Sequence, residues 1–368
     1  MIDERVLKKE ERAIFSLRSL YRKYGYMPYK MSKFEEYELY IRNKDFLVSD
    51  RIIAFNDTNG KLMALKPDVT LSIIKNSDGF DGSKQKVCYN ENVYRVSQST
   101  GQYKEIMQTG LECIGDTDIY DIYETVMLAA KSLETISEKF VLEISHLGIL
   151  SAVFDAASPD AAFKKKAVSY ISEKNSHDLL KLCKEYDIDE HMCNILATFV
   201  SAYGKRSEVL KTLKANFSQY AEEAVAELEE LSKMLDSTPF SDKILFDFSV
   251  VNDMNYYNGI VFRGFLDGIC DGVLAGGRYD NLMKKMGKKS GAIGFALYID
   301  LLEQLNTEES GYDTEVLLLY KDSDNPSEVA AKARELVSEG KSVDVQKSVP
   351  PKIRYKETII FKGGASDA

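Results

Sequence analysis

The sequence predicts an α+β protein with a mostly antiparallel sheet flanked by helices. Three observations predict it. Strand-like segments occur in hairpin order on both sides of residues 159–236, those residues have helical periodicity, and residues 315–361 alternate between strand and helix patterns. We therefore expect a core over residues 1–310 that contains a helical insertion, followed by a short C-terminal βαβ unit over residues 311–368.

The first third of the chain combines one long helix with hairpin strands. Residues 4–25 predict an amphipathic helix that ends at Gly25. Residues 51–70 alternate in hydrophobicity around Asn59-Gly60, a dipeptide typical of hairpin turns. Strand, strand, helix and strand are then expected, in that order, at residues 86–96, 105–115, 119–138 and 140–145.

The rest of the chain changes character twice. Residues 159–236 are rich in Ala, Lys, Glu and Leu, and AVAELEELSKML shows the helical spacing most clearly. Strands resume at residues 243–250, 258–265 and 271–280, and residues 291–305 begin as a strand and end as a helix. In the C-terminal unit, the sequence pattern predicts a strand at residues 315–320 and a helix at residues 326–340. Two further strands are expected at residues 343–345 and 357–361. A unit of this size buries too little hydrophobic surface to be stable on its own.

The composition argues against several classes of protein. The 368 residues include 48 Lys and Arg against 58 Asp and Glu, a net charge of −10, which is unfavourable for binding nucleic-acid phosphates. No apolar run is long enough for a membrane span, and the charged N-terminus lacks a secretion signal, so we expect a cytoplasmic protein. The five cysteines form no CxxC pair. Neither a disulfide framework nor a metal site is expected, and the familiar phosphate loops are absent.

Three short stretches combine polar, aromatic and glycine residues beyond what a sheet needs for stability. The stretches span residues 65–70, 94–112 and 255–280. Gln108 and Glu112 are four residues apart on one predicted strand, so their side chains point to the same face. Together with Asp68 and Thr70 they would offer charge-assisted hydrogen bonds to an ammonium group. Nearby tyrosines and paired glycines would admit a small planar ligand. The stretches therefore predict a pocket for a small cationic molecule.

Each of these residues has an ordinary explanation when taken alone. Glu112 could be an exposed strand residue, Gly276-Gly277 a turn or bulge, and Tyr256-Tyr257 part of the core. Only their order and spacing together support a functional interpretation.

The order of the motifs resembles the class II core of histidyl-tRNA synthetases over about residues 1–305. LKPDVT (65–70) resembles the family's LRPE-x-T segment, and residues 94–110 resemble motif 2. NYYNG (255–259) resembles LDYYTG, AGGRYD (275–280) is nearly identical to the family's AGGRYD, and AIGFAL (292–297) resembles the start of motif 3. The resemblance implies a class II aminoacyl-tRNA synthetase-like fold, whose anticodon-binding domain would be represented only by its beginning, in residues 311–368.

The resemblance also implies which residues bind a ligand. The positions that hold the ammonium and imidazole groups of histidine in the family are Asp68, Thr70, Gln108, Glu112, Tyr256, Tyr257 and Tyr279 here. Arg95 would face the ligand carboxylate, and the backbone at Gly276 and Gly277 would line the pocket.

Departures from the family pattern indicate that the ATP half of the site is lost. Asn252 and Leu301 stand where the synthetases carry arginines, and Ser97 and Gln98 replace charged residues of motif 2. Positive charge supplies most of the transition-state stabilisation in adenylation, and removing one such donor costs about 10²–10³ in rate. We therefore expect no catalytic residues and no cofactor.

A histidyl-synthetase core with its amino-acid pocket kept resembles the regulatory subunits of ATP phosphoribosyltransferase. The resemblance implies a non-catalytic subunit that assembles with the short-form catalytic subunit, supports the first step of histidine biosynthesis and senses L-histidine for feedback. It also implies a homodimer within a hetero-oligomer, formed through the apolar stripe of the helix at residues 4–25. Nucleic-acid and membrane partners are not expected.

Two alternatives remain open at this point. One is a divergent ligase that still adenylates an amino acid or a protein lysine. The other is a synthetase-like binding or scaffold module with a different partner.

Overall fold

A nine-stranded sheet organises the larger of the two units into which the chain divides, residues 1–305 and 306–368. The computed structural model describes residues 7–47, 51–77, 83–97, 100–158, 160–251, 256–305 and 311–362. The predicted domain boundary after residue 310 borders residues 306–310, which lie outside the described residues. Among the described residues, no helix is long and apolar enough to cross a membrane.

The described residues in the first half of the larger unit form five α-helices and seven strands. They are, in chain order, α1 (Lys9–Lys23), β1 (Met27–Pro28), β2 (Phe34–Glu36), α2 (Tyr37–Arg42), β3 (Ala54–Asn56), β4 (Leu62–Leu65), α3 (Thr70–Asn76), β5 (Gln85–Val96), β6 (Tyr103–Gly115), α4 (Ile119–Ile136), β7 (Phe140–His146) and α5 (Leu147–Ala157).

The second half begins with the helical insertion and returns to the sheet. Its elements are α6 (Ala161–Ser172), α7 (Ser176–Glu185), α8 (Glu190–Ser201), β8 (Tyr203–Lys205), α9 (Arg206–Asp236), β9 (Ile244–Asp247), β10 (Ile260–Leu266), β11 (Leu274–Arg278), α10 (Asp280–Lys285) and β12 (Gly291–Tyr298). The strand order of the sheet is β1-β5-β6-β12-β11-β10-β7-β9-β8. Only the β1–β5 and β7–β9 pairs are parallel, so the sheet is mostly antiparallel, as predicted.

The predicted hairpin forms, but it ends earlier than expected. β3 and β4 pair antiparallel, and Gly60 turns the chain with a φ of +81°. The prediction of hairpin strand up to residue 70 was wrong, because β4 ends at Leu65 and α3 begins at Thr70. Pro67 has no amide hydrogen for a sheet ladder, and the Asp68 carboxylate accepts the amide of Leu71 at 2.8 Å. These two residues convert the strand pattern into a helix start.

Two smaller differences follow from tertiary context. The helix that we expected at the end of residues 291–305 is present as a 3₁₀-helix, Ile299–Gln304, after β12. The short strand β8, which has no hydrophobic alternation to predict it, joins the sheet by pairing with β9.

The hydrophobic core lies between the sheet and a layer of helices. α4 is buried along most of its length, α1 and α9 pack against it, and α5 packs against α9. Within the insertion, Phe199 stacks on Phe217 at 4.3 Å between ring centroids. α9 departs from helical geometry at Ala221, where φ is −149° and ψ is 54°. The half of α9 that follows this kink packs its apolar residues against the core of the sheet domain.

The smaller unit is a three-stranded parallel sheet with one helix. Its elements are β13 (Thr314–Leu319), α11 (Pro326–Ser338), β14 (Val343–Gln346) and β15 (Tyr355–Ile360), in the strand order β14-β13-β15. Asn325 caps α11 by accepting the amide of Ser327 at 2.9 Å. All four predicted elements of this unit are therefore present.

Candidate functional site

Four neighbouring strands bring the predicted pocket residues to one face of the large sheet. Glu112 on β6 lies opposite Val87 on β5 and Gly294 on β12, and Gly294 lies opposite Gly277 on β11. Since adjacent strands in register present the same face, these positions form a row across the sheet. A Cβ atom at Gly294 would overlap the Glu112 carboxylate. The absence of a side chain there therefore provides the space that Glu112 occupies.

Glu112 is the central charged group of this row. Its side chain is 2% exposed. The Thr70 hydroxyl donates to Oε1 at 2.8 Å, and the Tyr279 hydroxyl donates to Oε2 at 2.6 Å. Burial raises the pKa of Glu112 to about 8, the two hydrogen bonds oppose the shift, and the nearby Asp68 charge adds to it. Burial thus favours the protonated form of the Glu112 carboxyl group.

Asp68 and Thr70 reach the same place from the start of α3. Burial raises the pKa of Asp68, while the amide of Leu71 and the charges of Arg95 and Lys66 oppose that rise. Thr70 is 8% exposed and is fixed by its bond to Glu112. The helix start therefore places a second carboxylate beside Glu112.

Three tyrosines form an aromatic wall next to Glu112. The ring centroids of Tyr256 and Tyr257 are 4.7 Å apart, and those of Tyr256 and Tyr279 are 5.9 Å apart. Tyr279 is buried and Tyr256 is 9% exposed. The wall offers ring faces to a planar ligand and hydroxyl groups to its polar atoms.

The remaining predicted pocket residues lie along β5 and β6. Gln108 is 3% exposed and lies opposite Glu91 and Tyr298, on the same face as Glu112. Arg95 donates from Nε to the Pro67 carbonyl at 3.0 Å. That bond brings the guanidinium close enough to Asp68 to oppose the rise in the pKa of its carboxyl group.

The two predicted glycines face opposite sides of the sheet. A Cβ atom at Gly277 would meet the Tyr257 ring at 2.8 Å, so Gly277 belongs to the pocket face. A Cβ atom at Gly276 would meet Phe295 at 2.5 Å and Phe262 at 2.7 Å, on the helix-packed side. The pleat of β11 causes this difference, so only at Gly277 would an added side chain enter the pocket face.

Sequence analysis missed three further residues near this site. Lys66 is fully buried and donates to Oε2 of Glu91 at 2.9 Å. Tyr89 is buried opposite Gly110, and burial and then the Glu112 and Asp68 charges raise its pKa. The alternation of side chains along β5 could have identified Tyr89 and Glu91, because both lie on the same face of that strand as Arg95.

The positions at which the chain departs from the synthetase pattern are only partly described. Asn252 and Gln98 lie outside the described residues. Leu301 is half-buried and packs against the hydrophobic core, so a side chain without charge occupies that position.

The site offers charged and aromatic side chains to a ligand. Three acids (Asp68, Glu91 and Glu112) and two cations (Lys66 and Arg95) surround the pocket face, and Lys66 is already paired with Glu91. The remaining carboxyl groups and the tyrosine wall match a small molecule with an ammonium group and a planar ring.

Comparisons with known proteins show the family to which the chain belongs. The family model described as Histidyl-tRNA synthetase matches residues 2–302. The ATP phosphoribosyltransferase regulatory subunit of Clostridium kluyveri is 28% identical over 90% of this chain and 88% of its own length.

Solved structures show the same fold. An ATP phosphoribosyltransferase regulatory subunit/histidyl-tRNA synthetase from Bacillus halodurans matches with a TM-score of 0.79 and 23% identity, over 98% of this chain and 96% of its own. A chain of the ATP phosphoribosyl transferase complex from Thermotoga maritima matches with a TM-score of 0.63 and 20% identity, over 81% of this chain and 97% of its own.

Proposed function

The chain belongs to the histidyl-tRNA synthetase family, and we propose that within this family it is a non-catalytic regulatory subunit of ATP phosphoribosyltransferase. In this role it assembles with a short-form catalytic subunit, in the cytoplasm, for the first step of histidine biosynthesis. The observation that carries the proposal is the set of curated relatives with that name, which match most of the chain.

The candidate site supports a non-catalytic role. Adenylation needs cationic groups around the α-phosphate, and each lost donor costs about 10²–10³ in rate. Leu301 places an uncharged, core-packed side chain where the synthetases carry an arginine. The Glu112 carboxylate, in contrast, is held at both oxygens by hydrogen bonds from Thr70 and Tyr279.

We propose that this pocket binds L-histidine as the feedback signal. Asp68 and Thr70 would hold the ammonium group, Glu112 and the three tyrosines would hold the imidazole, and Gln108 and Arg95 would complete the polar lining. A histidine-sensing subunit needs the ligand to bind two assembly states with different affinities. Histidine binding by the chain itself is therefore the first requirement.

Calorimetric titration with L-histidine, without ATP, tests that requirement. We expect saturable binding, with the achiral analogue histamine binding more weakly because it lacks the carboxylate that Arg95 would face. No heat and no thermal stabilisation would show that the isolated chain does not sense histidine.

An activity assay tests the regulatory role. The short-form catalytic subunit from the same organism should produce phosphoribosyl-ATP faster with this chain than without it, and L-histidine should lower that rate. Histidine-dependent exchange between ATP and pyrophosphate would instead revive the alternative of an adenylating ligase. A catalytic subunit whose rate is unchanged by this chain would favour the alternative of a binding module with another partner.

We also propose a homodimer formed through α1 and β1. Phe15 on α1 is 50% exposed and Met27 on β1 is 61% exposed, so apolar surface lies on both elements. Covering such surface is a common reason for self-association. Sedimentation at micromolar concentration should give about twice the chain mass of 41.6 kDa, and a monomer would contradict the proposal.

A further inference from the structure

A half-buried ionic bridge links the helical insertion to the end of the strand that precedes the pocket tyrosine. Glu227, on the half of α9 that follows the kink, accepts from Nε2 of His146 at 3.0 Å. Its other oxygen lies 3.6 Å from Nη1 of Arg278, the last residue of β11. One carboxylate therefore connects α9 with the ends of β7 and β11.

Glu227 contacts both His146 and Arg278 through its carboxylate. His146 is 5% exposed, and its Nδ1 is buried without a hydrogen-bond partner among the described residues. The His146 ring is therefore held through Nε2 alone. The pKa of Glu227 is lowered because His146 and Arg278 outweigh its burial, which raises it. The carboxylate is thus charged and engaged on both oxygens.

Hydrogen bonds connect Arg278 to the pocket residue Tyr279. Its Nε donates to Asp280 at 2.7 Å, and the other Asp280 oxygen accepts the Ala292 amide at 3.0 Å. The residue between them, Tyr279, is held by a bond from its amide to the Ala292 carbonyl at 2.9 Å. The Tyr279 hydroxyl then donates to Glu112 at 2.6 Å. Arg278 and Asp280 thus brace the backbone on both sides of the pocket tyrosine.

We propose that Glu227 is a positioning residue for the Glu112 pocket, and that it couples ligand binding there to the helical insertion. The coupling is reciprocal by linkage, so a ligand that orders Tyr279 also orders the second half of α9. Only the identity of the ligand rests on the proposed function.

A matched pair of variants on α9 tests the bridge. Glu227→Gln keeps the size of the side chain and removes its charge. Glu229→Gln makes the same change two residues away, where the carboxylate pairs with Lys214 and Lys233 at the surface. We expect Glu227→Gln to speed amide hydrogen exchange in a peptide covering residues 274–283, and Glu229→Gln to leave that rate at the wild-type value.

The second readout is ligand affinity. Glu227→Gln should weaken L-histidine binding by about two- to thirtyfold, the range reported for residues that modulate coupling, and Glu229→Gln should not change it. Arg278→Lys keeps the positive charge but loses the planar guanidinium group, so it should also speed exchange at residues 274–283 and weaken L-histidine binding. The double variant Glu227→Gln/Arg278→Lys should be no weaker in binding than either single variant. Arg278→Lys replaces Glu227→Gln if the latter does not fold.

The two readouts separate the inference from the proposed function. Faster exchange at residues 274–283 without histidine binding by any of the proteins would support the bridge and contradict histidine sensing. Wild-type exchange and wild-type histidine affinity in both Glu227→Gln and Arg278→Lys would overturn the bridge, whatever the ligand result.

Discussion

Tyr279 donates a hydrogen bond to Glu112 at 2.6 Å, across 167 positions of the sequence. Glu112 lies on β6 and Tyr279 directly follows β11, and β12 lies between these two strands in the sheet. Thr70 donates to the other oxygen of the same carboxylate at 2.8 Å. The pocket is therefore assembled around one buried acid by three separate parts of the chain, and its properties should depend on that acid.

Replacing Glu112 by Gln should weaken L-histidine binding by at least about 1.5 kcal/mol, or roughly tenfold. The physical reason is that a charge-assisted hydrogen bond becomes a neutral one. Calorimetric titration at pH 8.5, where the carboxyl is largely ionised, gives the clearest comparison. An unchanged affinity would place Glu112 outside the ligand contacts.

Glu112 should also make stability depend on pH. Its pKa of about 8 in the folded protein lies above the ordinary value of 4.5. Between these values the folded state keeps a proton that the unfolded state has lost, so the free energy of unfolding falls as pH rises, by at most about 1.4 kcal/mol per pH unit. This contribution is complete below pH 4.5 and is lost as pH rises through about 8.

Urea unfolding of wild type and Glu112→Gln at pH 5, 7 and 9 measures this contribution, because glutamine does not titrate. The stability of the variant relative to wild type should increase from pH 5 to pH 9. A constant difference would mean that Glu112 has an ordinary pKa in the folded protein.

Gly294→Ala should lower the melting temperature and abolish ligand binding. The new Cβ would overlap the Glu112 carboxylate and approach the Leu111 carbonyl, a backbone atom on the neighbouring strand that cannot rotate away. Overpacking of this kind typically costs about 1–3 kcal/mol. Gly311→Ala is the control, since a Cβ there would have no neighbour within 4 Å. Equal melting temperatures for the two variants would contradict the predicted overlap.

Lys66→Met should destabilise the protein by about 3 kcal/mol. Lys66 is fully buried against Glu91, and removing one member of a buried pair leaves the other charge uncompensated. Lys61→Met removes a partner from the exposed pair with Glu36 and should leave stability unchanged. Chemical unfolding of both variants measures the difference in the free energy of unfolding. Similar unfolding midpoints would mean that the Glu91 carboxylate is hydrated or paired with another residue in Lys66→Met.

Much of the fold could be predicted from local pattern. The hairpin turn at Asn59-Gly60, the strands at residues 86–96 and 105–115 and the helices of the insertion are all present. Each depends on spacing within a few residues, which the chain carries locally. Other elements were not predicted, namely α2, α3, α5, β8 and α10. The start of α3 is stabilised by the bond between Asp68 and Leu71, and β8 forms by pairing with β9.

The sequence by itself determined that Gln108 and Glu112 share a face, because alternation along one strand is a local property. Only the tertiary structure decided that Gly276 points away from the pocket, that Lys66 pairs with Glu91 and that Glu227 reaches Arg278. The physical reason is that strand order and helix packing bring together residues far apart in the chain, and no local period specifies which of them meet.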